Sequence, residues 1–419
     1  MWTRLALLLL LINPIFLIWL NTSTFDGLSV VALTLASVAW FFSLLYLRDW
    51  SALSATGIVC LWLLTRLLSL LSGHPSVDDD VYRYLWDGAR LVHDGTPYLH
   101  APAAFFGQTL SLDQSWLADG INYPHLPTVY GPLWILFGAF GWLLTPTSLI
   151  GWKLLLILFE AVFLVCARTW WDSRALVAWI TCPLWFWEIM LQCHAEVFGV
   201  GFFVLALGSI RKRHFFRGGI LLALALGGRW SLLPPLLIIV VFAKAELTAR
   251  RNLILGSSLG VLSLVFLFGA MGPFNSDGLE ALYRDWTHNP IIWKWFATTP
   301  SMIWVLGLGG ALLVYRRPWR DDLSSVGLWS ECFALWLLAS TVINPWYLLW
   351  LLPGLVVLRE RTWWGMWIAV IPVVYWQAQW TGDLHRAEGL HSHPEAVWWI
   401  QCVAMVVGGL RRTVSVPKI

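Results

Sequence analysis

Apolar segments long enough to cross a lipid bilayer recur along almost the whole chain. A transmembrane helix needs about 20 apolar residues, and its backbone groups must bond to one another because lipid offers them no partners. Only 12% of the residues are charged, whereas soluble domains contain about a quarter. The sequence therefore predicts an all-α polytopic transmembrane protein that forms a single integral membrane domain over 1–419.

The basic residues divide the connecting loops into two sets. Most of the 27 Lys and Arg residues fall in alternate loops, with the densest run, RKRHFFR, at 211–217. Cytoplasmic loops are enriched in Lys and Arg, so these loops and both termini are predicted to be cytoplasmic. This assignment gives an even number of spans, about 14. It also leaves a large external loop over 73–148.

Three spans within 1–72 precede the external loop, and the remaining spans lie within 149–410. The first apolar segment resembles a signal peptide but lacks a small-residue cleavage site, so we predict a helix. Within the loop, 131–144 is predicted to be a re-entrant or interfacial helix, because a crossing there would place later basic residues outside. The predicted spans are 5–20, 28–47, 52–72, 149–167, 175–191, 193–210, two short ones around Arg229, 252–271, 299–315, 327–343, 345–358, 363–378 and 396–410.

The external loop carries an acidic segment, HPSVDDDVYRYLWDGARLVHDGTPY (74–98). The three carboxylates of Asp78–Asp80 follow the third span, and Arg83 and Asp87 come after them at helical spacing. This pattern predicts a helix with acids at its positive N-terminal end. One interpretation is a solvated helix cap with surface ion pairs. The other is a general base organised by Arg83, because clustered carboxylates raise the pKa of at least one member.

Four segments of the chain carry a resemblance to a known family of enzymes. They are DDVYRYLWDG (79–88) with GTPY (95–98), NYPHLPTVYGPLW (122–134), CPLWFWEIMLQCHAE (182–196) and INPWYLLWLLP (343–353). Together they are similar to the GT-C superfamily of membrane glycosyltransferases, most closely the bacterial polyprenyl-phosphate-mannose-dependent mannosyltransferases. Those enzymes have an acidic pair in the first large external loop, followed by Arg-Tyr and Trp-acid-Gly. The likeness implies a GT-C-like fold with a large external catalytic loop.

Three positions depart from the family pattern. Glu196 stands where the family's His-x-Asp turn has Asp, and Asn344 stands where a His precedes Pro-Trp-Tyr. Arg229 stands where a Lys is usual. Charge is kept at two of these positions, so the departures concern the identity of donor and acceptor more than the fold.

The resemblance implies a reaction at the external or periplasmic face of the plasma or inner membrane. Such enzymes take a hexose, here mannose, from a polyprenyl phosphate and transfer it with inversion to a lipid- or glycan-linked acceptor. We assign the general base to Asp79, with Asp80 as the second candidate. The expected partners are the donor, the acceptor and membrane lipids. No nucleic acid, cofactor or metal is expected, and the chain has no nucleotide-binding glycine loop.

Polar residues on the external side are expected to bind the substrates. Arginine suits bidentate contacts with phosphate, so Arg229 and Arg83, together with Lys153, are candidates for the leaving phosphate. Glu188, His194 and Glu196 surround one predicted external turn. Two interpretations remain for these residues: they share a binding site, or they form a hydrogen-bonded network that stabilises the turn between two helices. A zinc site there is disfavoured because no HExxH-type spacing is present. The predicted substrate-binding residues are Arg83, Tyr84, Asp87, Tyr130, Lys153, Glu188, His194, Glu196, Arg229, Trp346 and Tyr347.

Three ionisable residues within apolar segments require their own interpretation, because such residues are costly in lipid. Arg229 follows Gly227 and Gly228 between two short apolar stretches, which predicts a turn near the outer face. It either clamps the donor phosphate or extends to lipid headgroups. Glu160 is either structural or part of the site, and Arg66 is expected to extend to the membrane surface.

Other classes of function compete with the glycosyltransferase. A lipid-linked sugar transporter or flippase would show inverted repeats and ionisable groups at mid-membrane depth. We find no internal repeat, and the polar residues gather on one side. A ligase or polymerase of lipid-linked glycans would use the same external chemistry on another acceptor. A scaffold explains neither the acids nor the external cations.

Overall fold

The computed structural model describes residues 2–22, 54–106, 112–229, 233–242, 245–285 and 344–357, with single positions within 35–40 and 326–336. Regular secondary structure in these residues is helical throughout, as the sequence predicts. Short 3-10 segments lie at Leu70–Ser72, Pro102–Phe105 and Pro345–Leu351. The helices are α1 (Trp2–Thr22), α2 (Ala55–Ser69), α3 (Asp80–Asp94), α4 (Leu112–Ala118), α5 (Pro132–Leu144), α6 (Ile150–Ala167), α7 (Ser173–Ile180), α8 (Pro183–Leu191), α9 (Glu196–Arg211), α10 (Phe215–Leu226), α11 (Leu233–Phe242), α12 (Leu247–Ala270), α13 (Asp277–Asp285) and α14 (Leu352–Val357).

Several of these helices have the length and apolar composition needed to cross a membrane. They are α2 together with its 3-10 turn, α6 and α12, and α7 with α8 count as a fourth if the bent pair is one span. Their lipid-sized apolar surfaces support a multi-pass membrane protein. The predicted spans at 5–20, 52–72, 149–167, 193–210 and 252–271 coincide with helices whose ends differ by a few residues.

The segment predicted as a span over 175–191 consists of two helices, which form one span only if the bent pair crosses the membrane together. α7 and α8 are separated at Thr181 and Cys182, and their axes differ by 46°. Pro183 has no N–H and forces the residue before it into an extended conformation, which Cys182 adopts with φ −61° and ψ 116°. The chain then continues as a π-helix, Phe186–Leu191. Such turns interrupt regular helices and are frequent at functional sites.

The predicted total of about 14 spans is not decided by the described residues. The segment predicted as a span at 345–358 is a 3-10 helix followed by the short α14 in its described part, 345–357. The other predicted spans lie wholly or largely outside the described residues, at 28–47, 299–315, 327–343, 363–378 and 396–410.

Two glycines determine how the helices of the segment 73–148 pack against each other. The helix expected at 131–144 is present as α5, and it crosses α3 where Gly88 meets Gly138. A methyl group on Gly88 would lie 2.2 Å from the backbone of Gly138, and one on Gly138 would lie 2.1 Å from the Tyr84 carbonyl oxygen. The two backbones can approach this closely only because neither residue has a side chain. This contact fixes the position of α3, and the acids Asp78–Asp80 lie at its N-terminal end.

A buried ion pair joins α2 to α6, and it corrects the expectation that Arg66 extends to the membrane surface. Arg66 is fully buried and donates to both carboxylate oxygens of Glu160, at 2.8 and 2.7 Å. The indoles of Trp62, Trp179 and Trp185 donate to the same carboxylate at 2.8, 3.3 and 2.7 Å. Glu160 therefore has a structural role, as the shared acceptor of one guanidinium and three indoles. Of the two interpretations given above, structural residue or part of the site, these contacts favour the first.

Candidate active site

The three consecutive acids lie where α3 begins. Asp79 is the N-cap residue and Asp80 is the first residue of the helix, so both carboxylates sit at its positive end, as the sequence predicts. The Asp78 carboxylate accepts a hydrogen bond from the backbone N–H of Asp80 at 2.9 Å. The helix start is thereby capped from within the acidic run.

A glutamine from the turn after α8 holds the backbone that carries these acids. The Gln192 side-chain oxygen accepts from the N–H groups of Val77 and Asp78 at 3.0 and 3.3 Å. Its amide nitrogen donates to Asn21 Oδ1 at 2.9 Å, and Asn21 donates in turn to the carbonyls of Ser72 and His74. The end of α1 and the end of α8 therefore meet at the acidic run.

His194 lies among carboxylates from two parts of the chain. Its Nε2 atom is 3.3 Å from Glu188 Oε2 and 3.9 Å from Asp78 Oδ2, and its Nδ1 atom is 3.9 Å from Asp80 Oδ2. His194 and Glu188 are fully buried, whereas Asp78 and Asp80 each keep 18% of their side chains exposed. Asp78–Asp80, Glu188 and His194 are called the acid–histidine cluster below.

Burial and charge alter the protonation of this cluster. Burial alone lowers the pKa of His194, but Asp78, Glu188 and Glu196 raise it to about 9. The surrounding carboxylates therefore favour the protonated, cationic form of His194. Burial and then the Asp80 charge raise the pKa of Asp78 well above its usual range. Asp78 is consequently a poorer anion than an exposed aspartate, and His194 supplies the positive charge between the carboxylates.

Asp78, Asp80 and His194 also form a group that has the geometry to hold a metal ion. Their ligand atoms lie within 4.8 Å of one another, and no other such group occurs among the described residues. Oxygen and imidazole ligands suit several divalent cations. This set differs from the zinc site weighed in the sequence, because its acids come from the start of α3 and not from around Glu196.

Arg229 lies at the predicted turn, which falls between α10 and α11. Its guanidinium pairs with Glu196, the first residue of α9, and stacks on the ring of Tyr347 at 3.6 Å. Trp134 lies on another side at 5.7 Å. The anion that the buried guanidinium requires is therefore Glu196 within the protein. Only 12% of the Arg229 side chain is exposed, so an interaction with lipid headgroups is not supported.

Aromatic contacts connect Arg229 to the acid–histidine cluster on two sides. Trp346 stacks on the His194 ring with centroids 3.9 Å apart and touches Tyr347 at 5.8 Å. On the other side, Tyr84 and Tyr130 contact each other at 4.7 Å, and both contact Trp134. The structure thus brings most of the predicted site residues together: Asp79, Asp80, Tyr84, Tyr130, Glu188, His194, Glu196, Arg229, Trp346 and Tyr347.

The other predicted residues are engaged differently. Arg83 is buried, pairs with Asp87 at 3.0 Å and donates to the Leu126 carbonyl at 2.9 Å. The Lys153 ammonium donates to three oxygens on and around the 3-10 turn after α2: Ser69 O, Ser72 Oγ and Gly73 O. Both cations therefore stabilise the scaffold in this arrangement, and their predicted contacts with phosphate stay predictions.

Asn122 belongs to the site but was not among the predicted residues. Its Nδ2 atom donates to Asp79 Oδ1 at 2.7 Å and to Asp80 Oδ1 at 2.9 Å. The sequence offered one signal, the position of Asn122 at the start of the segment NYPHLPTVYGPLW. Its bonds to residues some forty positions earlier arise from tertiary packing, which no local pattern predicts.

Known proteins offer little to compare with this chain. No protein-family model matches it, and no curated protein matches its sequence. Among solved structures it is similar to the crystal structure of ArnT from Cupriavidus metallidurans bound to undecaprenyl phosphate. The TM-score is 0.46, with 15% identity over 86% of this chain and 72% of that one. A similarity at this level does not establish a shared fold or activity.

Proposed function

We propose that the chain is a GT-C-like glycosyltransferase. It transfers a hexose from a polyprenyl-phosphate donor to a lipid- or glycan-linked acceptor at the external membrane face, with inversion. Mannose is the sugar that the sequence resemblance implies. The observation that carries the proposal is a geometric one: Asp79 and Asp80 lie at the start of α3, with His194 3.9 Å from Asp80 and Glu196, which pairs with Arg229, two residues further along the chain from His194. The same chain contains helices long enough to cross a membrane.

The arrangement suits acid–base chemistry at a sugar carbon. Asp79 removes the proton from the acceptor hydroxyl, and that oxygen forms a bond to the anomeric carbon. The bond between that carbon and the phosphate oxygen breaks, and the phosphate departs with the electron pair. General-base assistance of this kind contributes about a hundred- to ten-thousand-fold in rate. Asp80, adjacent and at the same helix start, is the second candidate for the base.

The departing phosphate gains negative charge and requires cations or donors beside it. We assign this role to His194 of the acid–histidine cluster and to Arg229, which pairs with Glu196. Arg229 keeps donors beyond those used by Glu196, since a guanidinium has five N–H groups. Its stacking on Tyr347 fixes the plane of the fork.

The direct test is incubation of purified protein with a polyprenyl-phosphate hexose and a lipid-linked acceptor. Release of free polyprenyl phosphate together with a glycosylated product supports the proposal. A flippase would instead move the intact donor between leaflets of a vesicle without releasing phosphate. Transbilayer movement without release would therefore replace the glycosyltransferase by the transporter, the other class that fits a membrane protein of this composition.

The proposal requires α3 to be external, and cysteine labelling tests that topology. In a variant lacking native cysteines, His100→Cys, an exposed position after α3, should react with an impermeant thiol reagent added to intact spheroplasts. Arg213→Cys, at an exposed position between α9 and α10, should react only after lysis. The reverse pattern would put the acids in the cytoplasm and exclude an external site.

Replacing Arg229 tests the phosphate contact. Arg229→Lys keeps the charge but loses the planar fork, so we expect about a ten-fold higher KM for the donor with most of kcat retained. Arg229→Gln should lose both donor binding and turnover. The measurement is the donor concentration dependence of product formation.

Glu196 provides the control for this experiment, because Arg229→Gln also leaves its carboxylate buried without a cation. The double variant Arg229→Gln/Glu196→Gln removes both charges and should regain thermal stability while its donor KM stays high. A double variant with normal donor KM would reduce Arg229 to the structural partner of Glu196.

A further inference from the structure

The side chain of Asn122 bonds to two acids of the acid–histidine cluster at once. One side-chain nitrogen donates to two different carboxylates, those of Asp79 and Asp80, at 2.7 and 2.9 Å. An amide nitrogen has two N–H groups, so both of its donors are committed to the acids. Side chains of consecutive residues in a helix point in different directions, and they converge here because Asp79 is not helical (φ −115°, ψ 6°).

The loop that carries Asn122 is itself held in place. Arg83, paired with Asp87 on α3, donates to the Leu126 carbonyl at 2.9 Å. The N–H of Ala103 donates to the Pro124 carbonyl at 2.8 Å. Tyr123 has φ +44°, a left-handed conformation that non-glycine residues rarely adopt. A strained residue beside Asn122 and two anchors within the next four residues indicate a loop that holds this amide in place.

We propose that Asn122 is a positioning residue, which holds Asp79 and Asp80 in the orientation needed for proton abstraction. This inference rests on the proposed function. The two adjacent carboxylates repel each other, and the amide hydrogens offset that repulsion without adding a cation. By occupying one oxygen of each acid, Asn122 restricts the rotation of both side chains. A base held in this way meets the acceptor hydroxyl in a defined geometry.

The test uses two substitutions of similar size. Asn122→Asp keeps the shape but replaces the donor by a third carboxylate, and Asn122→Leu removes the hydrogen bonds without adding charge. Asn122→Asp should lower kcat by about a hundred-fold or more at neutral pH, with the donor KM changed little. Asn122→Leu should lower kcat less, because it adds no repulsion. Asn275→Asp is the matched control, since Asn275 uses its side-chain oxygen as an acceptor, which aspartate preserves.

Thermal unfolding in detergent gives a readout independent of activity. The introduced carboxyl would lie beside Asp79 and Asp80, the two acids that Asn122 contacts in the wild type, and next to Tyr123 in the chain. Asp78, Tyr84 and His194 in turn lie around Asp80. The two adjacent acids raise the folded pKa of the introduced carboxyl above its unfolded value. Its penalty is therefore present above the unfolded pKa and disappears as the pH falls. The stability deficit of Asn122→Asp against wild type should shrink strongly on acidification. That of Asn122→Leu should shrink less, because Leu only removes two donors from the charged acids and adds no further charge.

The outcomes separate this inference from the proposed function. A wild-type protein that releases no polyprenyl phosphate refutes the glycosyltransferase, and the pH-dependent unfolding still tests whether Asn122 bridges the acids. If wild type turns over and Asn122→Asp stays within about three-fold of it, the positioning role is refuted. A pH-dependent deficit with unchanged kcat would also refute it, because the amide would then act on stability alone.

Discussion

Asp79→Asn is expected to reduce turnover by about a hundred- to ten-thousand-fold while donor binding is largely kept. Asparagine has nearly the shape of aspartate but no basicity. It is also an equally good N-cap residue, so α3 should still begin at Asp80. The measurement is single-turnover product formation at saturating donor, combined with a binding assay for the donor.

The control for this prediction lies on the same helix. Asp94, in the last turn of α3, forms an ion pair with Arg90 at 3.0 Å and keeps 37% of its side chain exposed. Asp94→Asn makes the same chemical change at the opposite end of α3 and should leave turnover near that of wild type. Asp80→Asn tests the second candidate. Near-normal turnover in both the Asp79 and the Asp80 variants would exclude this pair as the base.

Glu160→Gln is expected to destabilise the fold by about 3–5 kcal/mol, which is the usual cost of breaking a buried ion pair. The change leaves the buried Arg66 guanidinium without an anion and withdraws charge from the carboxylate that accepts three indole N–H groups. The expected readout is a marked fall in unfolding temperature in detergent, with a normal donor KM in the fraction that remains folded.

A surface ion pair provides the comparison for Glu160. Glu246 and Arg213 are 3.7 Å apart, and each keeps 76% of its side chain exposed. Water and salt screen such pairs, so Glu246→Gln should leave the unfolding temperature unchanged within error. A Glu160 variant that unfolds like the Glu246 variant would mean that the five-membered network contributes nothing to stability. The double change Arg66→Met/Glu160→Leu should be milder than Glu160→Gln, because it leaves no charge uncompensated.

The spacing of residues along the sequence predicted the features that depend on residues close together in the chain. The helix after the acids, the Arg83–Asp87 pair four residues apart and the turn at Arg229 were all expected, and the structure contains them. Each follows from helical periodicity or from the chain length required to cross lipid.

Long-range partners were predicted less well, because periodicity does not specify them. From the sequence, Arg66 was expected to extend to the membrane surface. Its actual partner, Glu160, lies on another helix, and local spacing does not indicate such a pair. The sequence also predicted that Lys153 binds a phosphate. In the structure its ammonium donates to the carbonyls of Ser69 and Gly73, which are equally suitable acceptors. The bend at Pro183 could have been predicted from the proline, which interrupts a helix. It was not predicted because the residues on both sides of the proline are apolar and were assigned to one continuous span.

The hydrogen bonds of Gln192 have a consequence for the order in which the protein folds during synthesis. The backbone preceding Asp79 is fixed by Gln192, which also binds Asn21 from the end of α1. Ribosomes deliver these segments in order, so α1 and the acids leave the ribosome long before Gln192. The acids can be fixed in their final geometry only after α8 has been inserted. A nascent chain that stalls before Gln192 should therefore contain the acids but lack the hydrogen bonds that fix their backbone.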